Sequence, residues 1–139
     1  MQINFLGIII ATVVQFIIGA VWYSALFGKL WGKIHGFDKL SKEAQDKMVK
    51  AMGPFYALQA FMTLITSCVL AIFINFLPAS WNVYALAGFF WLGFVVPTQV
   101  SAVIFGGTES KWIAKKIAVQ AGAAFFCLEA AAIILKYFS

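Results

Sequence analysis

Four long apolar stretches constrain this chain more than any other feature of its sequence. They cover residues 4–27, 54–77, 83–105 and 112–138. A helix needs about 20 mostly apolar residues to cross the roughly 30 Å of hydrocarbon in a bilayer, and each stretch has that length. A spanning segment must also satisfy its backbone hydrogen bonds internally, which favours helices. The sequence therefore predicts an all-α fold, an integral membrane four-helix bundle that forms a single domain over residues 1–139.

The composition supports a membrane protein and argues against nucleic-acid binding. Of the 139 residues, 63% are hydrophobic and 11% are charged, whereas a soluble domain carries about 25% charged residues. The excess apolar surface is therefore expected to lie against membrane lipids. All ten basic residues are lysines, and proteins that read nucleic acid rely on arginine for bidentate contacts. We expect no nucleic-acid partner.

The only sizeable polar segment separates the first two apolar stretches and contains six of the lysines. Ser41 is a suitable N-cap residue, and Glu43 and Lys47 form a favourable pair four residues apart on a helix. The pattern predicts a short amphipathic helix over residues 41–52 that lies at the membrane surface. A solvated connector that does not touch lipid is the alternative interpretation.

The lysines also indicate an orientation. Nine of them lie in the first and third connections or at the start of the fourth stretch, while the N-terminus, the second connection and the C-terminus contain only Lys136. Because basic connections stay on the cytoplasmic side of a membrane, we expect both chain termini outside the cytoplasm.

Glu129 is the one acidic residue inside the apolar stretches. It is the only charged side chain between residues 117 and 135, and it lies near the middle of the fourth stretch. An acid at that depth costs several kcal/mol and normally faces protein, water or a partner. One hypothesis makes Glu129 a protonatable functional site. The alternative is a neutral structural carboxyl that is hydrogen-bonded to an amide such as Gln15, at a similar depth on the first stretch.

Three glutamines could extend such a site. Gln59, Gln99 and Gln120 come from three different stretches, and each lies one to two helical turns to the lysine-rich side of mid-membrane. They predict either a polar cavity below Glu129 or separate hydrogen bonds between helices. Gln59 also shares a helix face with Thr63, Thr66 and Ser67, and this polar seam is expected to turn inward.

Small residues mark one face of the first stretch. Gly7, Ala11, Gln15, Gly19 and Tyr23 recur every four residues, so they share one side of a helix. Small side chains at this spacing let another helix approach closely. With little interior available in four short spans, we expect a homodimer built on such stripes.

No pattern typical of an enzyme or a metal site is present. His35 has no cysteine or second histidine near it, and Cys68 and Cys127 both lie inside apolar stretches. There is no nucleophile elbow and no glycine-rich phosphate loop. We expect no catalytic residues, no metal and no cofactor.

The end of the first stretch carries a family resemblance. Residues 19–31 read Gly-Ala-Val-Trp-Tyr-Ser-Ala-Leu-Phe-Gly-Lys-Leu-Trp, and this segment resembles a bacterial family catalogued as domain of unknown function 1761. Residues 91–94 and 105–107 are similar in kind, although Gly106-Gly107 stand where members often have a charged residue. The resemblance covers essentially the whole chain. It implies a small four-helix protein of the bacterial inner membrane with no established activity, and it transfers no catalytic residues.

Two functions follow from these observations as expectations. The first is a transporter or permeation protein that uses Glu129 as a protonatable site, with the glutamines near it. The second is a non-enzymatic accessory or structural protein that binds lipid or a partner membrane protein, in which Glu129 has only a structural role.

Overall fold

The computed structural model describes residues 3–78 and 80–139, and this part of the chain contains six helices and no strand. The helices are α1 (Phe5–Leu26), α2 (Gly28–Ile34), α3 (Lys42–Ala51), α4 (Gly53–Phe76), α5 (Val83–Phe105) and α6 (Ile113–Tyr137). Four of them, α1, α4, α5 and α6, are long and apolar enough to cross a membrane. The predicted all-α membrane bundle is confirmed, and the chain is a multi-pass membrane protein.

Polar caps set where several helices begin. Asn4, Ser41 and Asn82 each precede a helix, and each side-chain oxygen accepts a hydrogen bond from a backbone N–H of the first turn. These N–H groups have no partner within the helix, so such a side chain stabilises the helix start. The observed ends lie within about a residue of the predicted ones, and of the three caps Ser41 was predicted from the sequence. A 3₁₀ turn at Ser110–Trp112 leads into α6.

Helix α2 was not predicted from the sequence. Its two glycines, Gly28 and Gly32, weaken the helical signal. Aromatic contacts fix the position of this helix. The centroid of the Trp31 ring lies 4.8 Å from that of Tyr23 and 4.3 Å from that of His35. The helix ends before Gly36, which has a φ of 68° that few other residues adopt.

Helix α6 is the centre of the bundle and contacts each of the other three spans. Its inward face carries Ala131 and Ala132, and both are fully buried, as are Ala11 of α1 and Ala87 of α5. Small side chains at these positions allow the backbones to approach closely, which increases van der Waals contact where lipid removes the hydrophobic driving force. Packing of α6 against its neighbours therefore depends on alanine more than on large side chains.

The small-residue stripe of α1 is used inside the chain. Gly7 packs against the end of α6 so closely that a Cβ there would lie 2.7 Å from the Phe138 Cβ. Ala11 and Gln15 are buried, whereas Gly19 has open space around it. Most of this stripe is therefore covered by the chain itself, and the homodimer expected from the sequence stays a prediction.

The two lysine-rich connections lie at the same end of the bundle. In the loop before α6, the Lys111 Nζ lies 2.7 Å from the Glu109 Oε2. This hydrogen bond and the charge of Lys111 lower the pKa of the Glu109 carboxyl, and Lys39 of the first connection acts in the same direction. Residues 3–6 and 138–139 lie together at the opposite end, where Asn4 and Phe138 line a common surface depression.

Candidate functional site: an outward-facing glutamate on the central helix

Two tryptophans attach the flanking helices to α6. The Trp22 Nε1 of α1 donates a hydrogen bond to the Val119 carbonyl over 2.9 Å, and the Trp91 Nε1 of α5 donates to the Ala121 carbonyl over 2.7 Å. Both acceptors lie within the regular part of α6, where a carbonyl oxygen can still accept a second hydrogen bond. The two indoles therefore fix α1 and α5 on either side of one short segment of α6.

Each of these tryptophans begins a π-helical turn. The turns cover Trp22–Leu26 in α1 and Trp91–Val95 in α5. A π-helical turn contains one extra residue, which changes the direction of the side chains and often occurs at functional sites. In α5 the turn is followed by Pro97, which has no N–H to donate, and the Val96 N–H bonds instead to the Trp91 carbonyl.

Gly122 makes room for the Trp22 ring on α6. A Cβ at this position would lie 2.9 Å from the Trp22 Cζ2, which is closer than carbon atoms approach without displacement. Phe126, one turn further along α6, packs against the same ring at an interplanar angle of 43°, with the ring centroids 5.4 Å apart. The contact of α1 with α6 therefore requires glycine at position 122.

A groove of about 470 Å³ opens beside these contacts, between α1 and α6. It is lined by Ile17, Ile18, Val21, Trp22 and Leu26 of α1 and by Phe126, Glu129, Ala130 and Ile133 of α6. Among the described residues that line the groove, Glu129 is the only charged one. Ile17, Leu26 and Phe126 are each more than half exposed, so the groove opens sideways toward the membrane rather than into an enclosed interior.

Glu129 lies near the middle of the membrane in this groove. The Cys127 Sγ approaches the Gln15 carbonyl at 3.5 Å, and Gln15 is close to the midpoint of α1. Glu129 is two residues further, about 3 Å along the helix axis. On the other side, a Cβ at Gly88 of α5 would lie 3.7 Å from the Glu129 Oε1, so the carboxyl occupies the gap between α1 and α5.

Nothing within residues 3–78 and 80–139 hydrogen-bonds to the Glu129 side chain, although its depth calls for a partner. The nearest lysine along α6 is Lys136, about 10 Å away along the axis. A polar group in hydrocarbon is costly unless it is paired. The chain therefore presents an acid at mid-membrane whose hydrogen bonds must come from outside the groove.

Gln15 does not supply that partner. Its Nε2 donates to the Ser67 Oγ of α4 over 2.8 Å and to the Ala11 carbonyl over 3.3 Å. Ser67 in turn donates to the Thr63 carbonyl and lies 3.0 Å from the Thr12 Oγ1. These hydrogen bonds join α1 to α4, and none of them reaches Glu129.

The three predicted glutamines do not form a hydrogen-bonded layer in the described structure. Gln59 is exposed and donates only to Thr63 on its own helix, over 3.4 Å. The expectation of an inward-facing seam holds for Thr63 and Ser67, which are buried, but not for Gln59 and Thr66, which are exposed. The Oε1 atoms of Gln99 and Gln120 are buried and accept no hydrogen bond within this part of the chain.

Sequence reasoning missed the residues that shape the groove. The contact that Trp22 makes depends on Gly122, which is about 100 residues away in the chain. The available signal was a Trp-containing segment near the lysine-rich half of both the first and the third span, but only the structure shows that both indoles reach α6. Among the residues that the structure describes, no group of three or more His, Cys, Asp or Glu side chains could hold a metal ion.

Comparison with known proteins places the chain in one group. The sequence model of a family described as a protein of unknown function, DUF1761, matches residues 6–136. Neither the curated proteins nor the solved structures contain a significant match. The match includes all four spans and the groove that contains Glu129.

Proposed function

Because this chain belongs to the family described as a protein of unknown function, DUF1761, we propose its function from its own geometry: it is a non-enzymatic membrane protein that binds a transmembrane partner through the groove at Glu129. The observation that carries the proposal is that this partly buried carboxyl lines the groove and has no hydrogen-bond partner among the described residues. An acid that faces the bilayer without a hydrogen-bond partner is unfavourable in an isolated chain. A partner helix that covers the groove and bonds to the carboxyl removes this penalty.

Gln15 and Glu129 both lie at mid-membrane, and the difference between their surroundings supports this proposal. Gln15 is buried and bonded to Ser67, as expected for a group that only stabilises the bundle. Glu129 lies at a similar depth but has apolar, partly exposed neighbours. A hydrogen bond between membrane helices contributes about 0.6 to 2 kcal/mol, so a polar group on an open face favours association with a partner that can bond to it.

Photo-crosslinking in native membranes tests this proposal. A photoreactive phenylalanine analogue at Phe126, in the groove, is expected to give one discrete protein adduct, and the same analogue at Phe61 on the exposed side of α4 is expected to give none. Adding Glu129→Leu is expected to reduce the Phe126 adduct strongly. If both positions give only lipid adducts, the groove faces bulk lipid and the proposal is wrong.

A second function, proton-coupled transport or permeation, is favoured by a different observation. The buried Oε1 atoms of Gln99 and Gln120 accept no hydrogen bond from the described residues, and water or a small polar ligand satisfies such groups. Glu129 then serves as the protonatable site at mid-membrane.

Proton flux into liposomes loaded with a pH-sensitive dye distinguishes this second function. Glu129→Gln is expected to abolish the flux, while Glu109→Gln, in an exposed loop acid, is expected to leave it unchanged. If liposomes that contain the wild-type protein are no more permeable to protons than protein-free liposomes, proton permeation is ruled out.

We also propose the membrane in which the protein lies and the side on which its termini lie. The resemblance to a bacterial family and the lysine distribution together support insertion in the bacterial inner membrane, with both termini outside the cytoplasm. Membrane lipids contact the remaining apolar surface, and no cofactor takes part in the proposed binding.

A further inference from the structure

We propose that the partner in the groove is a second copy of this chain, and that the two Glu129 carboxyls hydrogen-bond to each other across a two-fold axis perpendicular to the membrane. This inference rests on the proposed function and names the partner that the groove binds. It differs from the dimer expected from the sequence, because that one used the small-residue stripe of α1. The stripe is mostly buried in the chain, whereas the groove is open.

Membrane insertion matches the depths of the two carboxyls. Copies of one chain enter a bilayer with the same orientation, so Glu129 lies at the same depth in each. A two-fold axis along the membrane normal preserves depth and brings a residue against itself in the partner. An outward-facing residue at mid-membrane is therefore placed to meet its own copy without any further adjustment along the membrane normal.

A neutral carboxyl is self-complementary. It has one O–H donor and a carbonyl acceptor, so each of two facing carboxylic acids donates to the other, and two hydrogen bonds form without any other residue. An ionised pair would instead repel, but the hydrocarbon disfavours the charged form. All ten cationic side chains are lysines, and none lies between residues 51 and 110 or 117 and 135, so this chain offers no opposite charge at that depth.

The surface around Glu129 suits an interface between spans. Ile17, Val21, Phe126 and Ile133 flank the carboxyl, and each is between 46% and 55% exposed. The isolated chain exposes 9146 Å², whereas a compact soluble monomer of 15.3 kDa exposes about 7,100 Å². The bundle therefore has an open shape with apolar clefts that a second copy can fill.

Cysteine cross-linking tests whether the groove faces a second copy. In the full-length protein with Cys68→Ala and Cys127→Ala, Ile133→Cys places a thiol one helical turn from Glu129 on the groove side. Oxidation in native membranes is expected to give a covalent dimer. Ile72→Cys, at a similar depth on an exposed face of α4, is the matched control and is expected to remain monomeric. A monomer at Ile133→Cys, or equal cross-linking at both positions, overturns the proposal.

Two substitutions of Glu129 test the carboxyl pair itself. Glu129→Gln keeps a donor and an acceptor, so its dimer dissociation constant in liposomes, measured by energy transfer between labelled copies, is expected to stay within a few-fold of wild type. Glu129→Leu removes both hydrogen bonds and is expected to weaken the dimer roughly tenfold, the effect of two interhelical hydrogen bonds. Both variants should retain the wild-type thermal stability as detergent-solubilised monomers, which excludes misfolding. A Glu129→Leu dimer as tight as wild type overturns the carboxyl pair.

Cysteine cross-linking and photo-crosslinking together distinguish a failure of this inference from a failure of the proposed function. If Ile133→Cys yields no dimer while the photoreactive analogue at Phe126 captures a different protein in a Glu129-dependent manner, the second copy is wrong and partner binding stands. If neither reagent captures a protein, both are wrong.

Discussion

At the scale of single residues, the contact between α1 and α6 depends on two complementary side chains. The Trp22 indole donates a hydrogen bond to the Val119 carbonyl, and its ring occupies the space that a side chain at Gly122 would need. A hydrogen bond of this kind stabilises a membrane bundle by about 0.6 to 2 kcal/mol. Because the ring is rigid and held at its edge by the hydrogen bond, it has little freedom to move away from a larger neighbour.

Gly122→Ala is therefore expected to destabilise the protein. The added Cβ would lie 2.9 Å from the Trp22 ring, and such overpacking typically costs about 1 to 3 kcal/mol. The thermal unfolding midpoint in detergent should fall, and the tryptophan emission should shift as the indole loses its hydrogen bond. Gly19→Ala is the control, because nothing lies within 4 Å of its Cβ position, and its midpoint should be unchanged or slightly higher. Equal midpoints for the two variants would contradict this account of the contact.

At the scale of elements, α3 is a short amphipathic helix whose apolar side chains are not covered by the rest of the protein. It begins after Ser41, whose side chain accepts a hydrogen bond from the Ala44 N–H. Met48 and Val49 are more than half exposed, so the protein itself does not cover them. The adjacent lysines favour the anionic headgroup region of a membrane. These features support the surface-lying helix over a solvated connector, and they leave lipid contact as a prediction.

Labelling with an environment-sensitive fluorophore checks the position of α3. In the variant without native cysteines, a probe at Met48→Cys is expected to show blue-shifted emission in liposomes, because this face enters the interface. A probe at Glu43→Cys, on the opposite face of the same helix, is expected to show the emission of an aqueous environment. Water-like emission at both positions would identify α3 as a solvated connector.

At the scale of the whole molecule, charge separates the two ends of the bundle. Both lysine-rich connections lie at one end, as the influence of Lys39 on the Glu109 carboxyl indicates. The opposite end contains the termini and only one lysine, Lys136. The bundle geometry does not depend on which end faces the cytoplasm, so the orientation rests on the positive-inside rule alone.

Accessibility to a membrane-impermeant thiol reagent tests the orientation. In spheroplasts of cells that express the variant without native cysteines, Ser139→Cys is expected to react while the membrane is intact. Lys47→Cys in the first connection is expected to react only after lysis. The opposite pattern would show that the termini lie in the cytoplasm.

The fold was largely predictable, and the site was predictable only in its central residue. Bilayer-length apolar stretches and the cap Ser41 are local signals, so the four spans and α3 could be placed within about a residue. Glu129 could be identified from the sequence alone, because it is a single acidic residue within an apolar stretch. Its surroundings could not be predicted, because they depend on how the helices pack. Gln15 bonds to Ser67 rather than to Glu129, and Gln59 is exposed.

Periodicity and residue type thus determined the number of spans, their approximate ends and the presence of a costly acid at mid-membrane. The tertiary structure decided which face of each span is covered, and so it directed Gln15 inward and Glu129 toward the open groove. The physical reason is that lipid and protein interior are both apolar. Hydrophobic patterning therefore separates the membrane from water but does not distinguish the inside of the bundle from its outside. That distinction is made by contacts between distant residues, such as Trp22 with Gly122 and Trp91 with Ala121.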